Sequence, residues 1–312
     1  MKSLFIAILA VLAAGPVKAE VSGAFSSLQL AAGNYSPAAV SIPVPSPAKF
    51  VSYPKAKNEI GARLFAASGR FLGIPYVLGP LGEGASGEFD RSPLVSYSGL
   101  DCTTFVEQTM AFALGADEPS ALDTLRRIRY RNGVIAYESR NHFPETDWLP
   151  NNIAAGFLKD ITSDVAGRQV SYVTKVISKR AWYAAKTGAD LKGFDSETPQ
   201  ERGARLERLR ALGTNIPDQE VKIKYIALPW LKALLANIPS GTVVSLVREA
   251  RADKPTVITH QFFIFDGPKG KIVRHASQGA KVLDIPADAY IAVLSSITTW
   301  KVLGFNLAAV AQ

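Results

Sequence analysis

A change of pattern at Gly241 constrains the fold more than any other feature of the sequence. Beyond this point, short runs of branched and aromatic residues alternate with turn sequences such as Asp266-Gly267-Pro268-Lys269-Gly270, which is typical of antiparallel strands joined by tight turns. Strands are predicted at residues 242–248, 257–265, 271–276, 281–285 and 300–307. Earlier in the chain, apolar residues recur at helical spacing, which predicts helices. Helices followed by an antiparallel sheet indicate an α+β fold.

The part of the chain before Gly241 carries the helical signals. Apolar residues recur at helical spacing from Cys102 onward, and a charged helix is predicted at residues 199–212. The Gly- and Ser-rich residues 79–99 predict a long loop. We therefore expect one folded domain at residues 56–312, with a mainly helical middle part at about 115–220.

The N-terminus has the three parts of an export signal. Lys2 provides the positive charge, residues 4–14 form a continuous apolar stretch, and Val17-Lys18-Ala19 offers a cleavage site. An uncleaved membrane anchor is the alternative, but the apolar stretch is shorter than the ~20 residues that a span requires. We predict a signal peptide at residues 1–19, a periplasmic or secreted mature chain, and no membrane span after cleavage. A Pro-, Ala- and Ser-rich arm or linker is predicted at residues 20–55.

Composition excludes several classes of protein. The 312 residues include one cysteine and three histidines, so a disulfide scaffold and a multi-cysteine zinc site are excluded. The formal net charge is +8, and it falls to +6 when the two lysines of the predicted signal peptide are removed. A charge of this size is compatible with attraction to anionic envelope polymers and equally with solubility alone. We predict no nucleic-acid partner.

The single cysteine occupies a chemically favourable position. Cys102 directly follows Asp101, a preferred N-cap residue, at the start of an apolar helical pattern. Unpaired amides and the positive end of the helix dipole favour the thiolate there, and the thiolate is the nucleophilic form. The alternative is a small buried residue with only a packing role. A lone cysteine in an exported chain favours the interpretation as a nucleophile.

Two of the three histidines fall on neighbouring predicted strands. If these strands form a hairpin in which Phe265 pairs with Gly270, His260 lies directly opposite His275 on the same face, within reach of a ring-to-ring hydrogen bond. If Phe265 pairs with Lys271 instead, the two rings point to opposite faces unless a bulge corrects the register. The register is therefore a requirement of any mechanism that uses both imidazoles.

Cys102, His260 and His275 match the logic of nucleophilic acyl transfer. That chemistry needs a cysteine, a histidine that accepts its proton and a third polar group that orients the histidine. Zinc coordination by one cysteine and two histidines is the competing use. The chain has no His-Glu-x-x-His motif, and its spacing gives no open metal site. We predict no metal and no cofactor.

Several sequence blocks together resemble a known family. The blocks, in chain order, are residues 71–76 (Phe-Leu-Gly-Ile-Pro-Tyr), 79–84 (Gly-Pro-Leu-Gly-Glu-Gly), 101–107 (Asp-Cys-Thr-Thr-Phe-Val-Glu), 137–143 (Tyr-Glu-Ser-Arg-Asn-His-Phe), 147–149 (Asp-Trp-Leu), 151–152 (Asn-Asn), His260 and 275–277 (His-Ala-Ser). This set resembles the NlpC/P60 superfamily of cell-wall cysteine peptidases and amidases, and more narrowly its DUF1460 branch. The resemblance covers roughly residues 56–307.

The resemblance implies a papain-like α+β core with helical insertions, in which a helix presents Cys102 against an antiparallel sheet. It assigns Cys102 as the nucleophile, His260 as the general base and His275 as the residue that orients His260. It implies a peptidoglycan or muropeptide substrate, cut at the amide between N-acetylmuramic acid and L-alanine, including in 1,6-anhydro muropeptides. Two alternatives stay open: an endopeptidase that cuts D-γ-glutamyl–diamino acid bonds, and a non-catalytic muropeptide-binding protein.

Four further residues are candidates for substrate binding. By resemblance, Tyr76 lies near Cys102, where its hydroxyl can help to bind the oxyanion. Arg140 can pair with a substrate carboxylate, and Trp148 can stack on a sugar face. His142 is assigned to substrate binding rather than to the catalytic group. Each of the four also has a purely structural interpretation.

One block departs from the family pattern. Where the family usually has His-Val-Gly, this chain has His260-Gln261-Phe262. A bulky Phe262 in place of a small residue is predicted to narrow the cleft or to alter its specificity. Because Cys102 and both histidines are retained, we still expect activity.

Overall fold

The computed structural model describes residues 60–311, so the predicted signal peptide (1–19) and arm (20–55) lie outside the described residues. The helices of this range are α1 (Ile60–Gly69), α2 (Cys102–Leu114), α3 (Glu118–Arg129), α4 (Leu149–Ala154), α5 (Thr162–Ala166), α6 (Lys179–Ala184), α7 (Pro199–Ala211), α8 (Leu228–Leu234) and α9 (Ala287–Ser296). Shorter helical turns lie at residues 131–133, 137–139, 144–148, 167–169, 188–190 and 235–237. None of the helices in residues 60–311 combines the length and the apolar character that crossing a membrane requires.

The strands between residues 60 and 311 form a single antiparallel sheet. They are β1 (Leu158–Asp160), β2 (Val170–Ile177), β3 (Gln219–Ala227), β4 (Thr242–Arg248), β5 (Ile258–Gly267), β6 (Gly270–Ala276), β7 (Val282–Pro286) and β8 (Val302–Val310). Their order is β2-β3-β8-β4-β5-β6-β7, and β1 pairs with the last residues of β8. Helices combined with an antiparallel sheet confirm the predicted α+β class.

The sheet is covered on both faces near its centre. One face packs against α1 and α2, where Leu64, Phe105 and Phe263 belong to one buried apolar cluster. The opposite face packs against α8 and α9, where Leu231 and Tyr290 belong to a second cluster. All the side chains of β4 are buried, because a central strand between two helical layers has no solvent face. This explains why β4 has an almost continuous apolar sequence instead of an alternating one.

Helix α2 begins at Cys102 because Asp101 caps it. The Asp101 carboxylate accepts a hydrogen bond from the Thr104 amide (2.8 Å), and the Asp101 amide donates to the Thr104 hydroxyl (2.9 Å). A cap of this kind stabilises a helix by about 1 kcal/mol. Phe105 packs edge-on against Phe263 of β5, with 5.8 Å between the ring centroids. The cap and this contact together fix the position of Cys102 relative to the sheet.

The strands predicted after Gly241 are present, and β4 has the expected bounds, whereas the middle of the chain contains strands that the sequence analysis did not predict. β2 and β3 form a long ladder from Val170↔Ile226 to Ile177↔Gln219. The alternation of apolar and charged residues from Val221 to Tyr225 is the signal that could have located β3. Helix α9, between β7 and β8, was also not predicted.

Candidate active site

Cys102 is the first residue of α2, and its side chain is partly exposed. Its sulfur lies 3.9 Å from the Thr103 hydroxyl oxygen and accepts a hydrogen bond from the backbone N–H of Gln261 on β5. The β5–β6 ladder ends at Phe263↔Arg274, two residues short of this amide. The thiol therefore lies just beyond the end of the β5–β6 ladder and contacts Gln261, the residue that follows His260.

The structure places Tyr76 beside this thiol. The backbone of Tyr76 pairs with Leu100, just ahead of α2. The Gly79 amide donates to the Asp101 carboxylate (2.9 Å), which ties the same loop to the helix cap. Burial raises the pKa of the Tyr76 hydroxyl, and the nearby Cys102 and Asp101 raise it further. This hydroxyl is therefore a hydrogen-bond donor at every ordinary pH.

His260 and His275 share a hydrogen bond. Nε2 of His260 lies 2.9 Å from Nδ1 of His275, and the two rings are nearly perpendicular. Neither register that the sequence analysis considered is present, because Phe265 pairs with Ile272 and not with Gly270 or Lys271. Since Ile272 lies two residues beyond Gly270, both rings stay on one face but stand diagonally instead of directly opposite. The ring-to-ring contact that the mechanism requires is present.

A tight turn explains this register. Gly267 pairs with Gly270, so only Pro268 and Lys269 form the loop of the hairpin. Gly270 has a φ of 113°, a conformation that residues with a Cβ rarely adopt. The centre of this loop, between Pro268 and Lys269, lies one residue later than the centre of the 266–269 loop that a Phe265–Gly270 pairing requires, so each residue of β5 pairs two positions further along β6.

The two imidazoles have different surroundings. His275 is fully buried, and its ring centroid lies 5.3 Å from that of Tyr290 on α9. His260, by contrast, is partly exposed. Burial raises the pKa of Tyr290, and Cys102 acts in the same direction. Arg248 of β4 is also close, because its charge lowers the pKa of His260.

Burial keeps the site uncharged. It raises the pKa of the Cys102 thiol to about 12, and the charge of Asp101 also raises it, although the Gln261 amide lowers it. It lowers the pKa of His260 to about 3, and Arg248 acts in the same direction. The resting form is therefore a thiol beside neutral imidazole, and the thiolate predicted from the helix N-terminus is not the resting form. The lost hydration outweighs the helix dipole, whose effect reaches ~2 kcal/mol at most.

The departure from the family pattern has a structural explanation. The Gln261 side chain joins the sheet to the helix: the Thr103 hydroxyl donates to its Oε1 (3.0 Å), and its Nε2 donates to the Ser245 hydroxyl (3.4 Å). Phe262 is fully buried, with its ring centroid 5.2 Å from that of Tyr290. Phe262 therefore fills the core on the α9 side and does not narrow an open cleft, contrary to the prediction.

Two predicted substrate-binding residues are engaged in other contacts. Arg140 forms ion pairs with Glu83 and Asp90, whose carboxylates are both buried. Trp148 is fully buried, and its indole N–H donates to Glu107 (3.1 Å). Trp148 therefore has no exposed face on which a sugar could stack, and the charge of Arg140 is already offset by two carboxylates.

His142 lies in a separate cavity of about 240 Å³. Its Nε2 is 2.7 Å from the carbonyl oxygen of Tyr137, and its ring packs 4.7 Å from Trp182. Arg140 also lines this cavity, whereas Cys102 does not. Burial lowers the pKa of His142 well below its usual range. The structure does not bring this third histidine into the group around the thiol.

Sequence reasoning missed Arg248 and Tyr290, which lie next to the histidine pair. Tyr290 belongs to α9, where Ala287, Tyr290, Ile291 and Leu294 recur at helical spacing, and this is the signal that could have located the helix. Arg248 ends a strand, Thr-Val-Val-Ser-Leu-Val-Arg, whose other residues are apolar or small. A charged residue that closes a fully buried strand is the signal that could have identified it.

The chemistry available at this group is that of a thiol, two linked imidazoles and the free amides of a helix N-terminus, which together suit acyl transfer. We call Cys102, His260 and His275 the candidate active site. In the part of the chain that the structure describes, no three His, Cys, Asp or Glu side chains converge in a way that could hold a metal ion.

Comparison with known proteins places the chain in an amidase-like family. The profile of a family described as N-acetylmuramoyl-L-alanine amidase-like (AmiA-like) matches residues 66–297. Among solved structures, the chain is similar to a Legionella pneumophila protein of the DUF1460 family, with 29% identity and a TM-score of 0.76 over 82% of this chain and 90% of that one. An N-acetylmuramoyl-L-alanine amidase from Bacteroides uniformis has a similar fold, at 21% identity and a TM-score of 0.59 over 82% of this chain and all of the other. A search of curated proteins found no match.

Proposed function

Because this chain belongs to the AmiA-like, N-acetylmuramoyl-L-alanine amidase-like family, we propose that it hydrolyses the amide between N-acetylmuramic acid and L-alanine in peptidoglycan fragments, including 1,6-anhydro muropeptides. Membership of the family supports a hydrolase that acts on peptidoglycan-derived material. One observation carries the proposal: a lone thiol at a helix N-terminus contacts Gln261, the residue after His260. His260 is hydrogen-bonded to His275 at 2.9 Å.

In this proposal Cys102 is the nucleophile and His260 is the general base. A hydrogen bond from Nε2–H of His260 to Nδ1 of His275 leaves Nδ1 of His260 unprotonated, which is the form that accepts a proton. Because burial holds the thiol and the imidazole neutral at rest, the thiolate forms only as His260 takes the proton. His275 fixes the tautomer and the orientation of His260.

The bond changes follow the sequence of a thiol hydrolase. The Cys102 sulfur adds to the carbonyl carbon of the lactyl group on muramic acid, and the thiol proton passes to His260. The C–N bond then breaks, and His260 returns this proton to the departing amino group of L-alanine. Water attacks the resulting thioester with His260 as base, which releases the lactyl carboxylic acid and restores the thiol.

Negative charge that develops on the carbonyl oxygen has donors nearby. Cys102 and Thr103 are the first two residues of α2, and the amides at these positions have no acceptor within the helix. The Tyr76 hydroxyl, held as a donor by burial and by its acidic neighbours, is the proposed side-chain partner of these amides. Loss of one such donor typically lowers turnover by roughly 10²–10³-fold.

We also propose the finer assignments that the sequence suggested. The core is papain-like and of the NlpC/P60 type, which is supported by a cysteine at the start of α2 and by histidines on the adjoining antiparallel strands. The chain is exported, with a signal peptide at residues 1–19, an arm at 20–55 and a catalytic domain at 56–312. A periplasmic or secreted location agrees with a substrate that derives from the cell wall.

Mass spectrometry of purified muropeptides tests the proposal. Wild-type protein and Cys102→Ala are each incubated with muropeptides that carry L-alanine on muramic acid. We expect wild type to release the intact peptide from the sugar and Cys102→Ala to release none. A shortened peptide on an intact sugar would instead identify an endopeptidase, and unchanged muropeptide that binds wild-type protein would identify a non-catalytic binder.

Reagents distinguish the thiol mechanism from a zinc mechanism on the same substrate. We expect alkylation of the single cysteine to abolish turnover and a chelator to leave it unchanged. Loss of activity on chelation together with indifference to alkylation would reverse the assignment of Cys102.

A further inference from the structure

β4 lies between β5 and β8, and both ladders shift register at the same end of β4. In the ladder with β5, Leu246 pairs with His260 but Val247 pairs with Ile258, so Thr259 is left out as a bulge. In the ladder with β8, Val247 pairs with Gly304 but Arg248 pairs with Val302, which leaves out one residue of β8.

The bulge in β5 lies directly before His260. Residues two apart in a regular strand share a face, so without the bulge Ile258 and His260 would point to the same side. In the structure Ile258 belongs to the apolar cluster on the α2 side. His260 stays in phase with Phe262, which belongs to the cluster on the α9 side and packs 5.7 Å from it, and meets His275 there. The extra residue Thr259 therefore lets Ile258 fill the core on one side of the sheet while His260 faces the other.

Arg248 holds this bulge. Its Nε donates to the Thr259 hydroxyl (2.9 Å), and its Nη1 donates to the Trp300 carbonyl oxygen, which precedes β8. The backbone N–H of Arg248 also donates to the Val257 carbonyl oxygen (2.8 Å), one residue before β5. One side chain therefore spans both register shifts.

Burial of the Arg248 side chain lowers the stability of the fold unless the contacts at the two register shifts compensate for it. The residue is only 3% exposed, and within residues 60–311 no carboxylate forms an ion pair with it. A buried guanidinium without a counter-charge is unfavourable. His275, which packs against His260, and Tyr290, which packs against His275, carry no negative charge at neutral pH.

We propose that Arg248 is a positioning residue for the general base: through Thr259 it holds the β-bulge directly before His260 and so fixes the end of the strand from which this imidazole contacts His275. The positive charge of Arg248 also opposes protonation of His260 at rest. As a statement about catalysis this rests on the amidase function proposed above. As a statement about the geometry and ionisation of His260 it stands independently. Glu145 supports the same segment, because its carboxylate accepts hydrogen bonds from the amides of Val257 (2.8 Å) and Ile258 (2.6 Å).

The first test measures the imidazole and not the reaction. With three histidines in the chain, NMR resonances of the imidazole rings can be assigned by single substitutions and followed against pH in wild type, Arg248→Met and Thr259→Val. We expect both variants to change the His260 and His275 signals and to leave those of His142 unchanged. In Arg248→Met, His260 should also begin to titrate at a higher pH. Unchanged His260 signals in both variants would overturn the proposal, whether or not the protein is an amidase.

The second test uses turnover of an L-alanine-linked muropeptide. Thr259→Val keeps the side-chain volume and removes the acceptor, and we expect kcat to fall at least tenfold while KM stays within twofold. Thr259→Ser restores the hydroxyl and should recover most of kcat. Arg251→Met is the matched control, because Arg251 is an exposed arginine of the following loop that pairs with Asp253, and it should keep wild-type kcat.

The outcomes separate the two claims. Wild-type kcat in Thr259→Val, or no recovery in Thr259→Ser, would overturn the role of the bulge clamp in catalysis. Inactive wild-type protein whose NMR spectra nevertheless change as expected would overturn the proposed function and leave the clamp standing.

Discussion

Two buried polar regions of this protein handle charge in opposite ways. In the helical region, two buried carboxylates each face an arginine: Glu107 pairs with Arg129 (2.7 Å) and Glu83 pairs with Arg140. In the candidate active site, burial removes charge from the thiol and from both imidazoles instead of pairing it. One region therefore pairs its charged groups, whereas the reacting groups of the other are uncharged at rest.

This difference separates stability from activity. A buried ion pair holds two elements in one geometry, and removing one partner typically costs about 3–5 kcal/mol because the other charge stays buried. A neutral thiol and a neutral imidazole form no fixed ion pair at rest, so the thiol proton moves only as the reaction with the substrate proceeds. Substitutions in the two regions should therefore affect different measurements.

The largest effect is expected from Cys102→Ser, which keeps the shape of the side chain and removes the nucleophilic sulfur. Turnover of an L-alanine-linked muropeptide should fall by at least ~10³-fold, as for other catalytic nucleophiles. The free energy of unfolding, measured in urea, should stay within about 1 kcal/mol of wild type. Substantial turnover by this variant would mean that the sulfur is not the nucleophile.

His275→Ala should lower kcat by roughly 10²–10⁴-fold with little change in KM, because His260 loses the partner that sets its tautomer and orientation. His275→Asn is the matched control, since its amide oxygen can still accept the hydrogen bond, and it should retain more activity than the alanine variant. Equal activities of the two variants would show that the hydrogen bond at 2.9 Å does not orient the base.

Arg140→Met should act on stability, because it leaves the buried carboxylate of Glu83 without its counter-charge and Asp90 with Lys192 alone. We expect a loss of about 3–5 kcal/mol in unfolding free energy and near wild-type kcat and KM for the folded fraction. Arg126→Met breaks an exposed pair with Asp123 and should cost less than about 1 kcal/mol. A raised KM at unchanged stability would instead assign Arg140 to substrate binding.

His142 should produce a smaller, pH-dependent effect. Burial lowers its pKa in the folded state, so below the unfolded value of about 6.5 the unfolded chain binds the extra proton and the folded state loses stability. Relative to His142→Gln, wild type should lose up to ~1.4 kcal/mol for each pH unit below 6.5. The difference between variants is the quantity to measure, because the raised pKa values of Glu83 and Glu107 act in the opposite direction. A parallel pH dependence of the two proteins would contradict the prediction.

The smallest effect is expected in the pH profile of catalysis. Because the pKa of His260 is lowered to about 3, the base form is present throughout the range from pH 6 to 8. We therefore expect kcat/KM to vary by less than about twofold across this range. If kcat/KM instead fell on the acidic side with a midpoint near pH 6.5, the pKa of His260 would be that of an ordinary imidazole. The candidate active site would then not differ from the helical region by keeping its reacting groups uncharged.

The features that sequence reasoning found depend on local patterns. β4 has the predicted bounds because its apolar run ends at turn residues, and α2 starts at Cys102 because the Asp101 cap depends on residues within one turn. That His260 and His275 lie on neighbouring strands also followed from local patterns, whereas their shared face depended on a register that the sequence left open.

The features that it missed depend on contacts between distant segments. The bulge at Thr259 is held by a hydrogen bond from Arg248. The neutral state of Cys102 depends on how far folding removes the thiol from water. Trp148 was a sugar-stacking candidate by residue type alone, and only its contact with Glu107 shows that it is buried. Burial and ionisation follow from packing between elements and have no signature in a short window of sequence.

The candidate active site is divided between a helix and a sheet whose residues lie more than 150 positions apart in the chain. The sulfur comes from α2 and both imidazoles come from β5 and β6, so neither part has catalytic power until the two layers dock. Under the proposed function, folding of the chain is therefore what assembles the nucleophile and its base into one group.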